Sequence, residues 1–265
     1  MIQRHPLFSI ALSFAFFVLP PVYARETNPI VLAADAWCPV NCGPDDAHPG
    51  FMVDLARAIF GNAGYEVEYR LMPWSRALRE ARSGAIDGVL GAFAGDAPDF
   101  VFPAAPLLVI SPSDLFARND FDWTFRGIPS LAEVRLGAIQ DYGYGDELNA
   151  YLLDPANKGA VDVIHGQRAI ERNLAKLLSG RIDVVVETQG VFLHAARKMD
   201  ATDRVKFVGR VAPPENCTVA FSPASSNSAY LAKLFSDGVE DMRRTGALMS
   251  LLASYGFADP VPPPP

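Results

Sequence analysis

The sequence predicts an α/β fold made of two doubly wound α/β lobes joined by a two-strand hinge. The first observation is an internal near-copy, LREARSGAIDGV over Leu78–Val89 and LAKLLSGRIDVV over Leu174–Val185, 96 residues apart. Each copy is a helical stretch closed by Ser-Gly, followed by Ile-Asp and a short apolar run. Glycine readily takes the left-handed conformation just past a helix end. The run that follows does not alternate, so it reads as a buried strand, and a helix feeding a buried strand is a unit of a parallel sheet. The second observation is that each half of the chain follows strand–helix–strand–helix–strand. The third is that half of the 265 residues are apolar, enough for two cores of ordinary size.

In chain order, Ile30–Ala34 reads as a strand and 35–48 as a turn-rich loop. Phe51–Phe60 is an amphipathic helix closed by Gly61 and Gly64, and Val67–Leu71 is the second strand. Pro73 and Trp74 open the first copied helix, which runs to Ser83, and Ile86–Gly91 is its strand. Leu107–Arg118 reads as one strand leaving this lobe. A short helix start at Ser130–Glu133 leads to a strand at Val134–Ile139, a polar glycine-containing loop at Gln140–Gly145, and a helix over Asp146–Leu153. Val161–Ile164 is a strand, Arg168–Ser179 the second copied helix, Ile182–Val186 its strand and Gly190–Lys198 a helix. Val205–Val211 is extended, Pro213-Pro214 marks a boundary, and Thr218–Phe221 is a returning strand. Helices over Ser225–Arg243 and Ala247–Tyr255 follow. The first lobe thus comprises 25–113 and 218–259, and the second 114–217, with crossings near Asp114 and Cys217. Ligands in such sheets bind outside the carboxyl ends of the strands. The loops after Ala34, Leu71, Gly91, Ile139 and Val186 should therefore line a cleft.

Residues 1–24 read as an export signal. Arg4 is followed by an uncharged apolar run, Leu7–Leu19, then Pro20-Pro21 and a small-residue cleavage site ending at Ala24. The run is shorter than the roughly 20 residues a membrane span needs. Losing Arg4 takes the net charge from −7 to −8. This acidic balance, without any Lys/Arg cluster, argues against nucleic acid as a partner. The Pro-rich 260–265 segment is expected to form a frayed tail. Of three cysteines, Cys38 and Cys42 flank a Pro-containing turn, and in an oxidising compartment a small-loop disulfide is expected there. A metal site is not expected, because the nearest histidine is His48 and a second cysteine pair is missing. Cys217 is left either as a buried thiol or as a long-range partner of one of the others.

The chain also resembles a known family, the extracytoplasmic solute-binding proteins of family 3 that serve polar amino acid ABC importers. The resemblance lies in Pro49-Gly-Phe-Met-Val-Asp54-Leu-Ala, both Ser-Gly-x-Ile-Asp units, Arg135-Leu-Gly-Ala-Ile-Gln140, and the closing Gly246-x-Leu with Tyr255-Gly256. It implies a two-lobed fold of the type II periplasmic-binding-protein kind. It further implies a monomer in the periplasm that closes on a small-molecule ligand and delivers it to a permease in the inner membrane. A soluble sensor that feeds a membrane receptor would have the same fold.

The family's carboxylate-binding Arg maps at or next to Asp99, where no Arg stands. Its ammonium-binding acid maps to Thr188, with Glu187 one residue earlier, although strand alternation would point Glu187 away. Asp35 and Trp37 match pocket positions, and Trp37 either lines the cleft or lids the Cys38–Cys42 turn. Trp74 either faces the cleft or joins the core, and Arg76 either reaches over the mouth or stays solvated. Phe93 sits at a strand end, and Tyr142 and Tyr144 occupy the loop that binds carboxylate in relatives. Gln167 is a further strand-end candidate. The repeated Asp87 and Asp183 are assigned to structure, each hydrogen-bonding its own Gly turn. With no G-x-S-x-G, H-E-x-x-H or phosphate loop, no cofactor and no catalytic residues are expected. The enzyme alternative is a dehydratase-like use of Glu187 with Arg76. Without the two family anchors, standard amino acids should bind weakly, and a solute with an aromatic or cationic part is preferred.

Overall fold

The computed structural model describes Met1, residues 28–166 and residues 168–257. The export signal, Gln167 and the Pro-rich tail lie outside the described residues. In chain order the strands and helices are β1 (Ile30–Ala34), α1 (Phe51–Asn62), β2 (Val67–Leu71), α2 (Trp74–Arg82), β3 (Gly88–Ala92), β4 (Leu108–Ile110) and β5 (Asp114–Arg118). They continue with β6 (Leu136–Ile139), α3 (Asp146–Leu153), β7 (Val161–Ile164), α4 (Ala169–Leu178), β8 (Val184–Glu187), α5 (Gln189–Lys198) and β9 (Val205–Arg210). The last are β10 (Glu215–Phe221), α6 (Ser228–Thr245) and α7 (Ala247–Ser254).

Two five-stranded sheets form, with orders β2-β1-β3-β10-β4 and β7-β6-β8-β5-β9. In each, the second strand, β1 or β6, runs parallel to both neighbours, and an antiparallel strand, β10 or β5, joins the far side of the third. The two lobes are therefore α/β with mixed sheets. The copied strands are buried as their lack of alternation requires: all four residues of β8 and four of the five in β3 are buried. On α1, Phe51, Met52, Val53, Leu55, Ala56, Ile59 and Phe60 face the core, each large one contributing roughly 1.5–3 kcal/mol.

The stretch 107–118, read as one strand, is two. Pro112 lacks an N–H and interrupts the ladder at 111–113. Leu108 then pairs with Cys217 in the first sheet, whereas Asp114 pairs with Glu187 in the second. The return crossing falls at 211–214 rather than near Cys217, because β10 already belongs to the first sheet from Glu215 onward. Pro213-Pro214 is the break.

The near-copies also close alike. Gly84 and Gly180 take φ of 76° and 72° past their helices. Their aspartates do not bond their own turns, contrary to the sequence reading. Asp87 Oδ2 accepts from Val31 N at 2.8 Å, and Asp183 Oδ2 accepts from Arg135 N at 2.9 Å. Each clamps the neighbouring strand, β1 or β6, near its start, which puts the strands' far ends in register at the cleft. Arg135 adds two bonds from its guanidinium to Asp183 and holds that carboxyl below its usual range.

Candidate ligand-binding site between the lobes

Strand ends converge on one cavity. The first lobe supplies Asp35 and Trp37 after β1, Trp74 at the start of α2, and Gly91, Phe93 and Asp96 at the end of β3. The second lobe supplies Tyr142 and Gly143 after β6, and Glu187 and Thr188 at the end of β8. Pro112, at a crossing, completes the lining. The enclosed volume is about 20 Å³, room for about one water. The lobes are closed on each other.

Local structure explains the placement of Trp37. Cys38 and Cys42 are disulfide-bonded with Cα atoms 4.9 Å apart, which pins the turn beneath it. The backbone N–H of Trp37 donates to Asn41 O, and the turn is tied to the start of α1 by Phe51 N to Pro39 O. Gly91 has φ of 80°, and a Cβ there would lie 3.4 Å from the Trp37 ring and 2.6 Å from Asn41 Nδ2. Because the two sulfurs are joined, the Cys38, Cys42 and Asp46 grouping offers no thiolate to a metal. Cys217 is a buried free thiol.

Hydrogen bonds cross the cleft directly. Tyr142 OH donates to Asp35 Oδ2 at 2.5 Å, and Gly143 N donates to Asp96 Oδ1 at 2.5 Å. In the other direction Trp37 Nε1 donates to Glu187 Oε1 at 2.9 Å, and Ser75 Oγ donates to Asp141 Oδ2. Burial dominates the three carboxyls and raises their pKa values, to about 6 for Asp35, about 7 for Asp96 and about 8 for Glu187. The donors offset this only in part. Glu187 Oε1 also accepts from Thr188 N at 2.8 Å, while its Oε2 has no partner among the described residues. Thr188 Oγ1 donates to Ser111 O at 2.9 Å, tying the end of β8 to the first crossing.

Of the residues singled out in the sequence, Asp35, Trp37, Trp74, Phe93, Tyr142, Glu187 and Thr188 line the cavity. Trp37 is a cleft wall, and its contacts with the disulfide turn are backbone hydrogen bonds to Val40 and Asn41. Trp74 is buried, packs among the first lobe's core residues, and meets Tyr142 edge-on at 6.5 Å. Tyr144 lies outside the lining: it is 1 % exposed and its OH accepts from Ile139 N, so it buttresses the strand end. Arg76 does not reach the mouth, because it pairs with Glu80 one turn along its own helix at 2.6 Å. Asp99 is also outside, paired with Arg82 at 3.0 Å. The carboxylate that does enter is Asp96, which strand spacing missed. A tight turn, with Phe93 N donating to Asp96 Oδ2 and Asp96 N to Phe93 O, bends the chain back there. A polar residue in a Gly95-Asp96 turn at a strand end was the available signal.

Two mixed α/β lobes closed on a polar and aromatic cavity make a two-lobed fold of the periplasmic-binding-protein kind. More particularly, residues 30–96 match the family model for bacterial extracellular solute-binding proteins, family 3, in line with the resemblance read in the sequence. No curated protein matches in sequence at a significant level. Among solved structures, a histidine kinase sensor domain with similarity to periplasmic binding proteins is 23% identical with a TM-score of 0.72, covering 88% of this chain and 98% of its own. An ancestral arginine-binding protein bound to glutamine is 19% identical with a TM-score of 0.69, covering 87% and 98%. The GluR0 ligand-binding core from Nostoc punctiforme in complex with (L)-glutamate is 18% identical with a TM-score of 0.65, covering 86% and 99%. At these identities the likeness is one of fold.

Proposed function

We propose that this protein is an exported, monomeric solute-binding protein of the periplasm. It captures a small polar solute, amino-acid-like or a derivative, between its lobes and hands it to the permease of an ABC importer in the inner membrane. The observation that carries this reading is the division of the cavity lining between two lobes that hydrogen-bond to each other across it. A ligand reaching both halves favours the closed form over an open one by its differential contacts. The crossings at 111–113 and 211–214 serve as the hinge. Export rests on the 1–24 signal reading. Binding rather than chemistry is proposed, since the Thr188 hydroxyl is committed to Ser111 O, and the Tyr142 hydroxyl, though hydrogen-bonded to Asp35, is held neutral by a pKa that burial pushes well above its usual value.

Small-angle scattering on the purified protein, with and without bound solute, tests the reading. Solute should favour the compact form, and an unchanged distribution of radii at saturation would count against a hinge. The likeness to a histidine kinase sensor domain favours one second reading, a soluble sensor presenting solute to a membrane receptor. Co-purification with a permease, as against a receptor, separates the two.

A further inference from the structure

The cavity holds three carboxyl groups and no basic side chain. Asp35, Asp96 and Glu187 line it, and no Arg, Lys or His is among the lining residues. Asp35 and Asp96 each take one donor from the opposite lobe. Glu187 is 2 % exposed, and its Oε2 has no hydrogen-bond partner among the described residues. A buried carboxyl with one bare oxygen in a nearly dry site keeps its proton unless a cation meets it. Trp37, Trp74, Phe93 and Tyr142 surround these carboxyls, and aromatic faces attract cations, most strongly when both are desolvated.

An α-amino acid fits this chemistry poorly. Its carboxylate would stand among three buried carboxyl groups with no guanidinium to receive it. The nearby arginines are engaged elsewhere, Arg76 with Glu80 and Arg82 with Asp99. We propose that the cleft takes a small organic cation, an amine or guanidinium, that carries no free carboxylate. This rests on the solute-binding reading above and names the class of solute. Because the closed cavity has room for about one water, a ligand enters an opened cleft. Its N–H groups then take the place of the Tyr142 and Trp37 donors on Asp35 and Glu187. The raised pKa values of the three carboxyls agree, since the empty site retains protons that a bound cation displaces.

Two ligand pairs isolate the carboxylate: agmatine against arginine, and putrescine against ornithine. Titration calorimetry at pH 8, with scattering on the same samples, should show each decarboxylated member binding at least tenfold more tightly than its amino acid. Glu187→Gln and Asp96→Asn, each checked for native folding by circular dichroism, should each weaken the tighter amine at least tenfold. Arginine or ornithine binding as tightly as its partner overturns this inference and leaves the solute-binding reading standing. Glutamine or glutamate compacting the protein while neither amine binds does the same. No binding and no compaction with any of the six overturns both.

Discussion

Glu187 makes the stability of the closed, ligand-free protein depend on pH in a calculable way. Its pKa is about 8 in the closed cleft against 4.5 in the solvated state, chiefly because burial penalises the charge. The Trp37 and Thr188 donors favour ionisation, and the facing Asp35 opposes it. Tyr142 and Tyr144, also in its field, have pKa values pushed far up and stay neutral. The carboxyl is raised, so the stability it confers is fully present below pH 4.5 and is lost as pH rises through 8. Between pH 7 and 9 the closed form gives up the Glu187 proton while the solvated form has none to lose. Integrating that difference at 1.36 kcal/mol per unit predicts a loss of about 1.4 kcal/mol. For a protein of this size that lowers Tm by roughly 3–6 °C. Glu187→Gln keeps an acceptor for Trp37 and Thr188 but cannot ionise, so most of this slope should vanish. Asp96, at about 7, leaves a small remainder. Differential scanning calorimetry at half-unit pH steps reads both proteins. Equal slopes for the two between pH 7 and 9 would refute the reasoning.

Other perturbations separate site from scaffold. Trp74→Ala should weaken the tightest-binding probe by roughly 1–3 kcal/mol in a titration. A large loss of Tm with normal affinity would make Trp74 a core residue only. Asp183→Ala removes the acceptor for Arg135 N and its guanidinium, and should cost about 1–3 kcal/mol in urea unfolding with affinity unchanged. An altered affinity would show that the clamp also shapes the cleft. Reducing Cys38–Cys42, a loop with a sequence separation of 4, should cost about 2 kcal/mol by loop-closure entropy. A loss well above that would mean that the disulfide also holds the Trp37 turn against α1.

The sequence by itself determined the repeated architecture. Helix periodicity, the two Ser-Gly stops and the non-alternating apolar runs are local signals, and they marked the copied helices and strands to within two residues. They also located most of the cavity lining, because ligands sit at strand ends and strand ends are visible as turns. What only the tertiary structure decided is which groups face one another. Tyr142 meets Asp35 across 107 residues of chain, and Trp37 meets Glu187 across 150. No local pattern encodes a separation of that length. Spacing along a strand selected Asp99, but the turn at Phe93–Asp96 put Asp96 inside and left Asp99 to Arg82 at the surface. Alternation pointed Glu187 away from the cleft, yet it is the last residue of β8, and the Trp37 ring of the opposite lobe reaches its Oε1 there. The acidity of the pocket is likewise a tertiary property. Three carboxyls scattered through the sequence are ordinary surface acids until both lobes close over them and remove their water.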